Sequence, residues 1–241
     1  MGIGIKTGIM ALAGNAFFNQ YSVDFDGTDD SVNMGNASEL NFDHNDPYTL
    51  SVWVKRDTTG TGVIIEKMET SGNFTGFQLA FVSDTIRIFH RRQNQTTNRI
   101  QRRTDATFTS TTEWYHIVST YDGSLANTGL KIYVNGSEAA STGVNSMQAG
   151  AWTNTADFKV GRTIDGHIDE VSVYNSELSA TDVATIYNSG IPGDVTSLNP
   201  VGWWRMGDND GGTGTTVTDQ GSGGNNGTLT NDAAFTTDVP S

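Results

Sequence analysis

The sequence predicts an all-β protein, an antiparallel sandwich or jelly roll with one short helix. Three observations carry that prediction. Residues 48–56, YTLSVWVKR, alternate strictly: Leu50, Val52 and Val54 share one face, and Ser51, Trp53 and Lys55 the other. That is the period of a half-buried strand. Asn135-Gly136 separates two strand-like runs, and both residues tolerate the positive φ of a two-residue hairpin turn. The composition agrees, with 28 glycines and with 20 aspartates against seven glutamates, a balance that favours turns over helices.

The elements follow in chain order. Residues 1–18 carry one lysine, Lys6, and a weakly apolar stretch diluted by glycines. This favours an extended N-terminal arm, spanning 1–19, over a signal peptide. Strands are expected at 48–56, 62–67, 76–82, 85–90, 114–121, 130–134, 137–142, 157–162 and 167–174, most of them alternating and bounded by turn residues. One helix follows. Ser179 caps it and Asp182, at the third helical position, completes a capping-box variant. Val183, Ile186 and Tyr187 share a face, and Gly190 and Pro192 end it. Residues 20–188 thus read as one sandwich and 189–200 as a linker. The tail, 201–241, is rich in Gly, Asn and Thr but holds Trp203, Trp204, Met206, Val217, Leu229 and Phe235. A pure linker does not expose such residues, so the tail is expected as strands packed on the same sandwich.

Composition narrows the function. The 241 residues fit one large β domain or two small ones. A net charge of −13 argues against a general nucleic-acid binder, which replaces counterions with clustered cations. The absence of cysteine excludes disulfides, thiol catalysis and thiolate-bound metals. No run of eighteen apolar residues occurs, so no transmembrane helix is expected.

Residues 21–35 (YSVDFDGTDDSVNMG), 48–55 (YTLSVWVK), 114–122 (WYHIVSTYD), 130–136 (LKIYVNG) and 167–174 (HIDEVSVY) occur in that order. Together they resemble the concanavalin A-like lectin/glucanase superfamily, in its laminin G-like, pentraxin-like jelly-roll form. The tail resembles the segment that ordinarily opens such modules. It reads either as a circular permutation, with opening strands supplied from the C-terminus, or as the truncated start of a second module.

The resemblance implies a structural Ca²⁺ near Asp26 and Asp169; the alternative is that Asp26 turns the chain before Gly27 and Asp169 binds loop N–H groups. Trp152, in a loop, is either an aromatic platform for a glycan or an anchor packed on the sandwich edge. Arg87, Arg91, Arg92, Arg99, Arg102 and Arg103 form a basic cluster in an acidic chain. They read either as a docking surface for an acidic protein or anionic glycan, or as a charged edge that blocks strand addition. No catalytic residue is assigned. Glucanases of the superfamily use paired carboxylates, and neighbours such as Asp169 and Glu170 on a strand point to opposite faces. His44, His90, His116 and His167 show no metal-ligand spacing.

A standalone module of this type beginning with a short Gly/Thr-rich arm resembles phage proteins, and that resemblance, with the arginine cluster, implies a non-catalytic virion structural protein, a capsid decoration, head-fibre or tail-associated protein displaying a lectin-like domain for host glycans. The alternative is a secreted bacterial carbohydrate-binding or adhesion module. Expected partners are capsid or tail proteins, host surface glycans and further copies in a homo-oligomer, with neither nucleic acid nor membrane insertion.

Overall fold

A computed structural model describes residues 17–72, 74–92, 98–146 and 151–241. The first strands are β1 (Ser22–Asp26), β2 (Ser31–Asn33), β3 (Tyr48–Arg56), β4 (Gly62–Met68), β5 (Gly76–Val82), β6 (Thr85–Arg91), β7 (Arg99–Thr104) and β8 (Tyr115–Tyr121). There follow β9 (Leu130–Val134), β10 (Ser137–Glu138), β11 (Ser141–Ser146), β12 (Phe158–Val160) and β13 (Asp165–Tyr174). After the helix α1 (Ala180–Tyr187) come β14 (Gly202–Trp204), β15 (Thr216–Val217), β16 (Gly227–Thr230) and β17 (Ala234–Thr236).

The strands form two antiparallel sheets. The first runs β10-β9-β8-β3-β13-β1-β17, with β14 also paired to β13; the second runs β11-β7-β6-β5-β4-β12-β2-β16-β15. Alternation sets which residues face inward. Val23, Phe25, Leu50, Val52, Val54, Ile117 and Ile168 of the first sheet meet Phe77, Leu79, Phe81, Ile86, Ile88 and Ile100 of the second in one buried core. Burial of that apolar surface is the main force holding the sheets together.

The tail contributes to both sheets. β17 lies beside β1, β16 beside β2 and β14 beside β13. Trp203 and Trp204 are buried, and Trp204 stacks on Phe158 at 5.8 Å. Residues 189–200, expected as a linker, are packed: Val195 and Leu198 join Val183, Ile186, Tyr174 and Trp203 in a second, smaller cluster on the outside of the first sheet.

Two local expectations need correction. The strand expected at 137–142 divides. β10 closes the Asn135-Gly136 hairpin on β9, and β11 crosses to pair with β7 in the other sheet. The arginine-rich 99–104 segment is a strand that periodicity did not reveal, and β11 covers it. It is therefore not the exposed edge that the charged-edge reading requires. The helix has its capping box, with Ser179 Oγ accepting from the Asp182 N–H at 3.2 Å and the Asp182 carboxylate accepting from the Ser179 N–H at 3.0 Å. It ends at Asn188, whose left-handed backbone stops it before Gly190.

Candidate functional site

The helix covers only part of the outer face of the first sheet. Beside it lies a groove of about 440 Å³, lined by Trp53, Thr112, Glu113, Trp114, Asn135, Tyr187 and the 240–241 end. Its aromatic floor follows from strand register. Trp53 pairs with His116 across β3 and β8, with ring centroids 4.8 Å apart. Tyr187, from the last turn of α1, stacks on both, at 5.8 Å from Trp53 and 5.9 Å from His116. The Asn135-Gly136 turn makes room for it. Gly136 has φ +76°, and a β-carbon there would lie 2.7 Å from the Tyr187 ring. Asn135 Oδ1 accepts the His116 N–H at 2.9 Å, which leaves its amide nitrogen to donate elsewhere. Burial pushes the His116 imidazole down to about 3, so this floor is neutral at pH 7. Trp53 is 3% exposed and His116 is fully buried, so the groove presents the half-buried Trp114 and Tyr187 rings beside an amide, a hydroxyl and, among the described residues, one acidic side chain.

Trp152 is not a surface platform. It is fully buried, edge-on to His90 at 4.8 Å. A reciprocal clasp draws its loop inward: Asn41 Nδ2 donates to the Asn154 carbonyl and the Asn154 N–H donates to Asn41 Oδ1. The Trp152 N–H is taken by Asp43 at 2.7 Å. Of the two readings open in the sequence, the anchor is the one the geometry supports.

The Asp26 and Asp169 pair does not fit one calcium ion. Asp26 pairs with Asp165, four residues before Asp169 on β13, a separation of about 13 Å along the strand. Asp169 is fully buried and accepts from Asn19 Nδ2 at 2.9 Å. Asp26 instead meets Asp29 and Asp30; the Asp30 carboxylate accepts the Asp26 and Asp232 N–H groups and that of Asp26 accepts the Thr28 N–H.

Asp169 and Glu170 depart from strand alternation. Register shifts between Asp169 and Ser172, and Glu170 takes φ +45°. Both carboxyls consequently enter one buried cluster. Glu170 accepts from Trp203 Nε1 at 2.7 Å and Arg205 Nε at 2.8 Å. Arg205 also meets Asp208 at 2.9 Å, and Asp208 takes the Gln20 and Tyr21 N–H groups. Burial lifts Glu170 to about 7 against the opposing pull of Arg205. Burial, with Glu170 as a like-charged neighbour, raises Asp169 well above the usual carboxylate range. With Phe17 stacked over Trp203 at 6.3 Å, the cluster pins residues 17–21 to the sheet.

The six arginines divide. Arg87 and Arg91 flank Phe89 on β6 and pair with Arg103 and Arg99 on β7, so these four side chains share the outer face of the second sheet. Their guanidinium carbons lie over Phe89 at 4.8 Å (Arg87) and 5.2 Å (Arg91). Burial, with the charges of Arg99, Arg103 and Arg91, pushes Arg87 down to about 10. Arg102 has the opposite parity and bonds Ser141 and the Asn127 carbonyl. Arg92 lies past the end of β6.

The sequence missed a mixed cluster around His167, because its members come from separate strands and turns. His167 pairs with Asp24 across β13 and β1 and with Lys55 across β13 and β3. Its Nδ1 is 3.4 Å from Asp24, and its Nε2 is 3.8 Å from both Asp57 and Asp238. Lys55 and Trp114 Nε1 both bond the Asp238 carboxylate. Burial raises the Asp24 carboxyl, opposed by His167 and reinforced by Asp57 and Asp165.

Two stacked antiparallel sheets around one buried core define a jelly-roll sandwich. The chain belongs to the concanavalin A-like lectin/glucanases superfamily, its residues 26–184 matching the family Laminin_G_3. One solved structure shares the fold, and others show a more partial likeness. A native heptameric SAP-like pentraxin from Limulus polyphemus is 15% identical, over 70% of this chain and 82% of its own, with a TM-score of 0.50. The ligand binding domain of botulinum neurotoxin serotype D, in complex with N-acetylneuraminic acid, is 17% identical over 59% of this chain and 36% of its own, with a TM-score of 0.44. Trypanosoma rangeli sialidase in complex with sialic acid is 17% identical over 59% and 23%, at 0.43. No curated protein matches the chain.

Proposed function

We propose that the protein is a non-catalytic glycan-binding module displayed on a virion surface, as a capsid decoration, head-fibre or tail-associated protein. The observation that carries the binding role is the groove between Trp53, Trp114 and Tyr187. Sugars offer apolar C–H faces and hydroxyls, and aromatic rings beside an amide and a carboxylate complement both. Among the described residues Glu113 is the one acidic side chain lining the groove, whereas glycoside hydrolysis of the usual kind uses two. The four arginines sharing the outer face of the second sheet support docking on an acidic protein shell, with assembly as a symmetric oligomer. A secreted adhesion module would use the same groove and leave the arginine face without that partner.

A glycan array probed with the full chain tests the binding role. Selective binding that falls roughly tenfold or more in Trp114→Ala, with the folded spectrum retained, is expected. Binding unchanged in Trp114→Ala, or no binding at high protein concentration, refutes the groove as a glycan site. Antibody labelling of purified particles tests the setting, and unlabelled particles favour the secreted alternative.

A further inference from the structure

We propose that His167, Asp24 and Asp57 bind a divalent first-row transition ion, Zn²⁺ foremost, on the outer face of the first sheet. One donor atom from each of the three lies within 4.8 Å of the others. Two ligands held about 2.1 Å from one zinc ion stand about 3–4 Å apart; His167 Nδ1 and Asp24 stand 3.4 Å apart, while the 3.8 Å approach of Asp57 is to Nε2, the other ring nitrogen, so Asp57 must turn to share an ion with Nδ1 and Asp24. The Asp24 and Asp57 side chains are about half exposed, so small rotations bring the third donor in.

His167 points to a ligand independently of the acids. The residue is only 9% exposed, and its Nδ1 is buried without a hydrogen-bond partner although a carboxylate lies 3.4 Å away. Each ring nitrogen faces a carboxylate. That suits an imidazole that ligates through Nδ1 beside Asp24 while Asp238, 3.8 Å from Nε2, orients the other nitrogen. A neutral imidazole with carboxylates selects Zn²⁺ and its neighbours over Ca²⁺. The charge also fits. Asp24, Asp57 and Asp238 outnumber Lys55, the ammonium bonded to Asp238, so a divalent cation neutralises the cluster. Asp238 is engaged by Lys55 and Trp114 and is not assigned as a ligand. Three protein ligands leave coordination positions open on a solvent-facing side. The site adjoins Trp114, whose ring centroid is 6.3 Å from that of His167.

The proposal stands apart from the glycan reading, because it is tested without sugar. The full chain is titrated calorimetrically with ZnCl₂ and with CaCl₂. CoCl₂ is followed by visible absorption and by tryptophan fluorescence. The expected results are one Zn²⁺ site of micromolar affinity, Co²⁺ absorption bands and quenching through Trp114. His167→Gln and Asp57→Asn should each weaken Zn²⁺ at least about tenfold, with circular dichroism unchanged. No heat at millimolar Zn²⁺ overturns the proposal. So does Zn²⁺ binding that both variants leave intact, which would place the ion elsewhere, or Ca²⁺ binding as tight as Zn²⁺.

Discussion

Lowering the pH isolates the contribution of His116 beneath the aromatic groove. The imidazole is fully buried, with Ser51 Oγ 2.9 Å from Nε2 and the rings of Trp53 and Tyr187 against it. Burial holds it at about 3, against 6.5 for an ordinary histidine. Below pH 6.5 the unfolded chain therefore takes up a proton that the folded chain refuses. The stability this residue allows is complete above pH 6.5 and is lost as pH falls toward 3. Between pH 7.5 and 5.0 the loss integrates to about 2 kcal/mol. His90, also held at about 3 by burial, contributes with the same sign. Glu170 opposes both: raised to about 7 from 4.5, it keeps a proton in the folded chain that the unfolded chain releases, so its contribution grows as pH falls through that window. The whole-protein slope mixes these effects, and a difference between two proteins separates them. Urea unfolding of the native protein and His116→Gln, read by tryptophan fluorescence at pH 7.5 and 5.0, gives that difference. The stability gap should shift by about 2 kcal/mol in favour of the variant at the lower pH. An equal gap at both values refutes the assignment of a neutral, proton-refusing His116.

Trp152→Ala should cost about 3–5 kcal/mol in chemical unfolding, while the folded fraction keeps any glycan affinity of the parent; selective loss of affinity at full stability would restore Trp152 as a platform. Gly136→Ala forces a β-carbon onto the Tyr187 ring at a residue with φ +76°. It should destabilise by about 1–3 kcal/mol and weaken glycan binding together, as unfolding and array measurements will show. Arg205→Ala leaves Glu170 and Asp208 without their counter-charge. It should cost about 1–3 kcal/mol at pH 7, because Glu170, already at about 7, takes up a proton when its partner is lost, and expose residues 17–21 to limited proteolysis. Asp169→Asn should leave any calcium response of the melting temperature unchanged, since Asp169 is not placed to share an ion with Asp26.

The legible parts of the fold were those in which local chemistry and tertiary role agree. In β3 the alternation of Leu50, Val52 and Val54 with Ser51, Trp53 and Lys55 matches an inner and an outer face. Asn135-Gly136 has the backbone its hairpin needs, and Ser179 and Asp182 form the capping box their spacing implies. β7 was hidden because Ile100 is its one apolar side chain in the core, set among arginines. Trp152 was ambiguous, since a loop tryptophan turns inward or outward according to partners such as Asn41, 113 residues away. The Asp169–Glu170 cluster depends on a bulge, which strand periodicity excludes by construction. The site residues were least legible. Trp53 fitted a core strand and is buried, but against His116 and Tyr187 rather than against the second sheet. His167 meets Asp24 and Asp57 only through register and a turn between β3 and β4.

The placement of β16 and β17 also sets an order on folding. Ser31 and Thr230, 199 residues apart, hydrogen-bond side chain to side chain, and β1 and β2 each lack one neighbour until the tail arrives. During synthesis at about 5–20 residues per second, roughly 10–40 s separate β2 from its partner strand. For that interval both sheets present open, pairing-competent edges on the ribosome, and closure waits on the longest loops in the chain. Any nascent-chain chaperone dependence of this protein should therefore concentrate on β1 and β2, the strands made first and completed last.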